Sequence, residues 1–238
     1  MIKSLFPLFI LFFLTANAYA QETICHKYNQ VNPSAEPSMG PRCRVINDTF
    51  YFDGMVTDEM FYELRDHHPN VRAIELNSYG GLVEPAYRIA ELVRNKGLST
   101  NVRKGAKCAS ACTLIYQSGV NRSAHPSVRF LYHAVRLSHL WVEDWLDSRL
   151  EKGREKSRDI LAQQFIEIKQ ESDLFFQKIV EYGLDENFIT YYRSLPEDPN
   201  WFENGNFTRT KDLIISSTKL FQYNVVEKFD FREEVPEL

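Results

Sequence analysis

The chain has 238 residues, of which 44% are hydrophobic and 25% charged, and its formal net charge is −4. This is the composition of an ordinary globular protein, long enough for one sizeable core. The mildly acidic balance provides no basic stripe of the kind that holds nucleic acid, so a nucleic-acid partner is not expected.

The chain opens "MIKSLFPLFILFFLTANAYAQE". A lysine, an apolar run from Leu5 to Leu14 and the small-residue pattern Ala18-Tyr19-Ala20 are the three regions of a cleaved secretory signal. The run is too short for a comfortable membrane span. The expectation is a signal peptide over residues 1–20, cleaved near Ala20, and a periplasmic or secreted mature protein with no integral membrane segment. Four cysteines in an exported chain permit disulfides. Cys25 and Cys43 bracket a Pro/Ser/Asn-rich stretch, so residues 21–44 are expected to form an N-terminal arm stapled by a Cys25–Cys43 bridge. Cys108 and Cys112 are four apart, a rise of about 6 Å on a regular helix and near the upper end of bridgeable separations. They either pair or stay reduced and buried. Without further ligands nearby, Cys-x-x-x-Cys is a weak metal motif, and no metal is expected.

The remaining residues, 45–238, are expected to form one α/β domain. "RVINDTFYFDGMV" reads as a strand, and Asp58 as the cap of a short helix, "EMFYELRDHH". "VRAIELN" is a second strand. The loop "SYGGLVE" then opens a helix with Pro85 near its first turn and Gly97 at its end. "STNVRK" is a strand, "SACTLIYQSG" a helix and "SVRFLYHAV" another strand. This alternation predicts stacked βαβ units on a mostly parallel sheet. Residues 142–180 are helical by pattern, with Leu161, Phe165, Ile168, Phe175 and Ile179 near one stripe that serves as core or as a contact in a homo-oligomer. The tail is a turn-rich loop, then a strand or turn, a short helix and a final strand.

Two strand-to-helix loops, "NSYGGLV" and "GAKCASAC", fall at the sheet edge where sites form. Gly80 and Gly81 let backbone approach a ligand without a Cβ in the way. Ser110, at the start of a helix and flanked by Ala109 and Ala111, lies beside free N–H donors suited to an oxyanion. A serine needs a base. Of the six histidines, His133 ends a strand of the same sheet.

The stretch "ELNSYGGLVEPAYRIAELVRNKGLSTNVRKGAKCASACTLIYQSGVNRSAHPSVRFLYHA" resembles the Clp protease proteolytic-subunit family, within the crotonase-like fold. More narrowly, it resembles exported bacterial relatives with a Cys-Ala-Ser-Ala-Cys nucleophile loop. The likeness spans residues 45–135 and returns weakly at 205–228. It implies a spiral of βαβ units with a helical C-terminal portion. It also implies Ser110 as nucleophile, His133 as general base, and the N–H groups of Gly81 and Ala111 as oxyanion donors. Gly80 and Leu82 would line the substrate. The family's third member is an acid a dozen residues before a glycine; with Asn224 in the glycine's place, counting back lands on Asp212. The sequence departs from the family at Tyr79, where a proline is usual, and in the longer 140–182 section.

The expectation is therefore an exported serine endopeptidase without cofactor, acting on short or unstructured peptides. One rival is an inactive periplasmic binding or scaffold protein on the same fold. An acyl-CoA enzyme of the wider superfamily is a second, disfavoured by export.

Overall fold

In the computed structural model, which describes residues 37, 40–135, 154–195, 213–215, 222–225 and 227–229, the segment expected to be one strand is a hairpin. β1 (Arg42–Ile46) pairs antiparallel with β2 (Thr49–Asp53). The two residues between them, Asn47 and Asp48, have φ of 47° and 63°. A two-residue turn with both φ values positive matches the twist of a hairpin, and Asn and Asp tolerate that backbone best after glycine. β1 begins at Arg42, so residues 42–44, assigned above to the arm, belong to the sheet.

Thr57, not Asp58, is the residue before the first helix, α1 (Asp58–Tyr62), which continues into one wider π turn over Glu63–His67. The Asp58 carboxylate instead accepts from Arg88. β3 (Ala73–Asn77), α2 (Val83–Lys96) and β4 (Ser99–Val102) fall where the alternation predicts. The strand β5 (Cys108–Ala109), the helix α3 (Ala111–Gln117) and the strands β6 (Arg122–Ala124) and β7 (Phe130–Tyr132) follow. β5 and β6, of two and three residues, are too short to show any period. α4 (Arg154–Glu181) is the expected long helix, while residues 142–153 lie outside the described residues. Asp185 caps a further helix, α5 (Glu186–Ser194), by accepting from the Asn187 N–H at 2.8 Å. β8 (Leu213–Ile215) and β9 (Lys228–Phe229) complete the described elements.

The strands form two sheets. A six-stranded sheet has the order β1-β2-β3-β4-β6-β9 and is parallel except for β1. A three-stranded sheet has the order β5-β7-β8. The two are joined beyond the end of β3, where the Ser78 N–H donates to the Lys107 carbonyl at 2.8 Å and the Ala109 N–H to the Ser78 carbonyl at 3.0 Å. A chain that leaves one sheet and bonds to the next brings the β3 loop against β5.

One core lies between the large sheet and its helices. Phe50, Phe52, Ile74 and Leu76 of the sheet meet Ala86, Ile89, Ala90 and Val93 of α2. All seven residues of α3 are buried, polar Thr113 and Gln117 among them, and burial on every side marks it as a central helix. The core continues through Phe175, Phe176 and Ile179 of α4 and Phe188 and Tyr192 of α5. Phe175 and Ile179 of the predicted stripe are therefore core; the side chains of Leu161 and Phe165 lie outside the described residues.

Candidate active site

Ser110 is the single residue between β5 and α3, with φ 54° and ψ −128°. A positive φ on a non-glycine residue at such a ψ costs about 1–3 kcal/mol and persists only where the surroundings enforce it. Here they do. The Ser110 N–H donates to the Leu131 carbonyl at 2.9 Å. Its carbonyl accepts from the Thr113 N–H at 2.8 Å and the Thr113 hydroxyl at 2.7 Å. The Cys108–Cys112 disulfide, Cα–Cα 5.3 Å, ties β5 to the first turn of α3 around the serine. The backbone is fixed on every side while the hydroxyl is left uncommitted: Ser110 does not cap α3 with its side chain. A sharp strand-to-helix turn with an exposed hydroxyl is the geometry of a nucleophile elbow.

The glycine loop packs directly on this turn. A Cβ on Gly80 would sit 2.6 Å from Ser110 Cβ and 2.8 Å from the Ala109 carbonyl oxygen, and its φ is 101°. Only glycine satisfies both conditions. A Cβ on Gly81 would overlap the Val56 carbonyl oxygen. Ser78 Oγ accepts from the Gly80 N–H at 3.0 Å, and Asn77 Oδ1 accepts from the Lys107 N–H at 2.9 Å. The Ser78 side chain shapes the loop and the Asn77 side chain ties it to the segment before Ser110, and neither was among the residues expected at the site. A serine two residues before Gly80 is the pattern of a side-chain turn, a signal that could have found Ser78. The N–H groups of Gly81 and Ala111 have no acceptor among the described residues; α3 begins at Ala111, where helix donors have no intrahelical partner. Leu82 is 55% exposed.

His133 follows β7, which runs parallel beside β5 with Ala109 opposite Leu131. Its Nδ1 lies 2.6 Å from the Ala134 carbonyl oxygen. A carbonyl only accepts, so Nδ1 carries a proton in this contact. The strand end just beyond is braced. The Ala134 N–H donates to the Tyr192 hydroxyl at 3.0 Å, and the Val135 N–H donates to Ser172 Oγ at 3.0 Å. No hydrogen bond joins Ser110 Oγ to the His133 ring in this conformation. The two residues stand at the ends of adjacent strands.

Asp212 lies outside the described residues. Leu213, which follows it, opposes Tyr132, which precedes His133, in the antiparallel β7–β8 register. Asn224 has φ 54°, a backbone that asparagine tolerates. Cys43 is disulfide-bonded; Cys25 lies outside the described residues. Among the described residues no group of His, Cys, Asp and Glu could hold a metal ion, and no helix is long and apolar enough to cross a membrane.

The architecture is that of the ClpP-like, crotonase-type α/β fold. Among solved structures, the chain is similar to a mutant of ClpP1 from Listeria monocytogenes, with a TM-score of 0.52 and 18% identity over 79% of this chain and 92% of that one. No protein-family model and no curated protein matches the chain.

Proposed function

We propose that this chain is an exported serine peptidase in which Ser110, His133 and Asp212 act together. The observation that carries the reading is the strained turn at Ser110. The fold spends conformational strain, a disulfide and three hydrogen bonds to the Ser110 backbone, one of them from the Thr113 side chain, to present a hydroxyl that performs no structural task. His133 Nε2 takes the Ser110 proton as Oγ attacks the peptide carbonyl. The Gly81 and Ala111 N–H groups receive the oxyanion. The tetrahedral intermediate collapses as the imidazolium passes its proton to the departing amine, and water, deprotonated by the same ring, releases the acyl group. Asp212 orients the imidazole in this reading and stabilises the imidazolium that forms. The Cys108–Cys112 bridge fits an oxidising compartment, in agreement with a signal peptide over residues 1–20 and a periplasmic or secreted location. Ile166 and Leu174 of α4 are exposed, and a homo-oligomer formed on that helix would cover them.

The test is labelling by a fluorophosphonate probe. Native protein is expected to take the label on the peptide containing Ser110, and Ser110→Ala is expected to take none. A folded native protein that stays unlabelled rejects the hydrolase and leaves a binding or scaffold protein. That second reading is favoured by one observation, the His133 ring being bonded to Ala134 and not to Ser110.

A further inference from the structure

We propose that Thr113 is a positioning residue of the Ser110 site: its hydroxyl holds the Ser110–Ala111 peptide in the orientation that points the Ala111 N–H at the oxyanion. The proposal rests on the peptidase reading above. Its starting point is the planar trans peptide, in which the C=O of one residue and the N–H of the next point in opposite directions. Whatever holds the Ser110 carbonyl therefore aims the Ala111 N–H. That carbonyl accepts twice from one residue, from the Thr113 N–H at 2.8 Å and from the Thr113 hydroxyl at 2.7 Å.

The second oxyanion donor is aimed in the same way. The Gly80 carbonyl, which shares a peptide with the Gly81 N–H, accepts from the Val56 N–H at 2.8 Å and from the Ser78 hydroxyl at 3.3 Å. A Cβ on Gly80 would lie 3.1 Å from the Ala111 nitrogen, so the two peptides are close neighbours. Each is held at its carbonyl by one backbone N–H and one side-chain hydroxyl. Thr113 and Ser78 are both fully buried, where water does not compete for those bonds and a hydrogen bond is electrostatically stronger than in solvent.

The backbone at Ser110 makes this hold necessary. Its φ of 54° and ψ of −128° are those of the first central position of a type II′ turn, which favours glycine. Turning the next peptide over would carry ψ to the left-handed helical range near +47°, which eases Ser110. The counter-rotation would give Ala111 a positive φ, so strain at one residue is exchanged for strain at the next. Backbone strain therefore does not choose between the two orientations; the bonds to the carbonyl do. In the turned peptide the Ser110 oxygen, an acceptor, would stand where an oxyanion needs a donor. A hydroxyl bonding to a carbonyl three residues back is a frequent local pattern, and Ser118 does so to Ile115 at the far end of α3. What distinguishes Thr113 is the peptide that it holds.

Acylation of Ser110 by p-nitrophenyl acetate is to be followed in single turnovers on the full-length native chain and on Thr113→Val, Thr113→Ala and Thr113→Ser. The limiting rate is resolved from the half-saturating ester concentration. Aiming an oxyanion donor acts on the transition state and not on ester binding. Thr113→Val is therefore expected to lower the limiting rate roughly ten- to a hundredfold, with half-saturation moved by less than about twofold. Thr113→Ser restores the hydroxyl and is expected to return the rate to within about threefold of native. Thermal unfolding verifies the fold of each variant; should Thr113→Val not fold, Thr113→Ala carries the same expectation. Acylation at the native rate without the hydroxyl overturns the proposal. So does a Thr113→Ser variant as slow as Thr113→Val, which assigns the effect to packing, and so does a change in half-saturation alone. Fluorophosphonate labelling, run alongside, separates the two ideas. A native chain without Ser110-dependent label rejects the peptidase reading, and the role of Thr113 falls with it. Label that forms equally fast in native and Thr113→Val protein rejects the role of Thr113 alone.

Discussion

Ser110 occupies a backbone conformation that costs free energy, and the residues around it exist in the forms that permit it. Gly80 is the clearest case. Gly80→Ala would place a methyl group 2.6 Å from Ser110 Cβ on a backbone of φ 101°, so either the loop or the Ser110 turn must move. We expect a loss of about 1–3 kcal/mol in urea unfolding, with fluorophosphonate labelling reduced at least as much as by loss of one oxyanion donor, roughly 10²–10³-fold. Unchanged labelling would mean that the loop does not belong to the site. Tyr192 acts at longer range. Its hydroxyl accepts the Ala134 N–H, so Tyr192→Phe leaves a donor without its partner next to His133. About 1 kcal/mol of stability is expected to go, together with a fall in labelling rate that His133→Gln already contains. A double variant no slower than His133→Gln alone is the outcome that places Tyr192 behind the imidazole. Asn224 has a left-handed backbone, φ 54°, which asparagine tolerates better than most residues other than glycine.

At the scale of elements, the site is the junction of β5 with α3, held from two directions. The Cys108–Cys112 bridge closes it locally, and both sulfurs belong to fully buried residues. Replacing both cysteines with alanine is expected to lower stability by roughly 2 kcal/mol, the chain-entropy value for so short a loop. If the clamp also sets the serine, labelling should slow in the same variant and in reduced native protein. Equal labelling rates in oxidised and reduced samples, with the bridge verified by mass, would reduce the disulfide to a stability element. The second support is α4 and α5. Phe176 stacks near Tyr192 at 4.7 Å between ring centroids, and Tyr132 meets Phe188 at 4.8 Å. These helices fasten the end of β7, which is the reason a segment beyond the Gly80 and Ser110 loops bears on His133.

Across the whole molecule, the large sheet carries a buried polar chain on β3, β4 and β6. Glu75 accepts from Asn101 at 3.0 Å and from Arg103 at 3.2 Å, and Ser123 donates to Asn101 at 2.9 Å. Glu75 and Arg103 are 2% and 8% exposed. Removing one charge of such a pair leaves the other buried and uncompensated, so Glu75→Gln is expected to cost about 3–5 kcal/mol in denaturant unfolding. Glu75→Leu combined with Arg103→Met should recover most of that loss. A double variant as unstable as the single would show that the pair itself, and not the orphaned charge, stabilises the sheet.

The local pattern of the chain by itself determined the alternation of strands and helices, the Gly80-Gly81 loop, the serine between small residues, and His133 at a strand end. Each depends on short-range chemistry: hydrophobic period, glycine's backbone freedom, helix-terminal donors. Other features were out of reach of that reading. The Asn47-Asp48 hairpin turn was absorbed into one strand because its alternating flanks mask the break. β5 and β6 are too short to carry a period and form only because a neighbouring strand supplies their hydrogen bonds. Whether Cys108 and Cys112 pair was undecided from spacing, since four residues put them at the limit on a helix; the strand-to-helix turn at Ser110 shortened the separation to 5.3 Å. Register and sheet partition are set by contacts between residues far apart in the chain, and those exist only once the tertiary structure has formed.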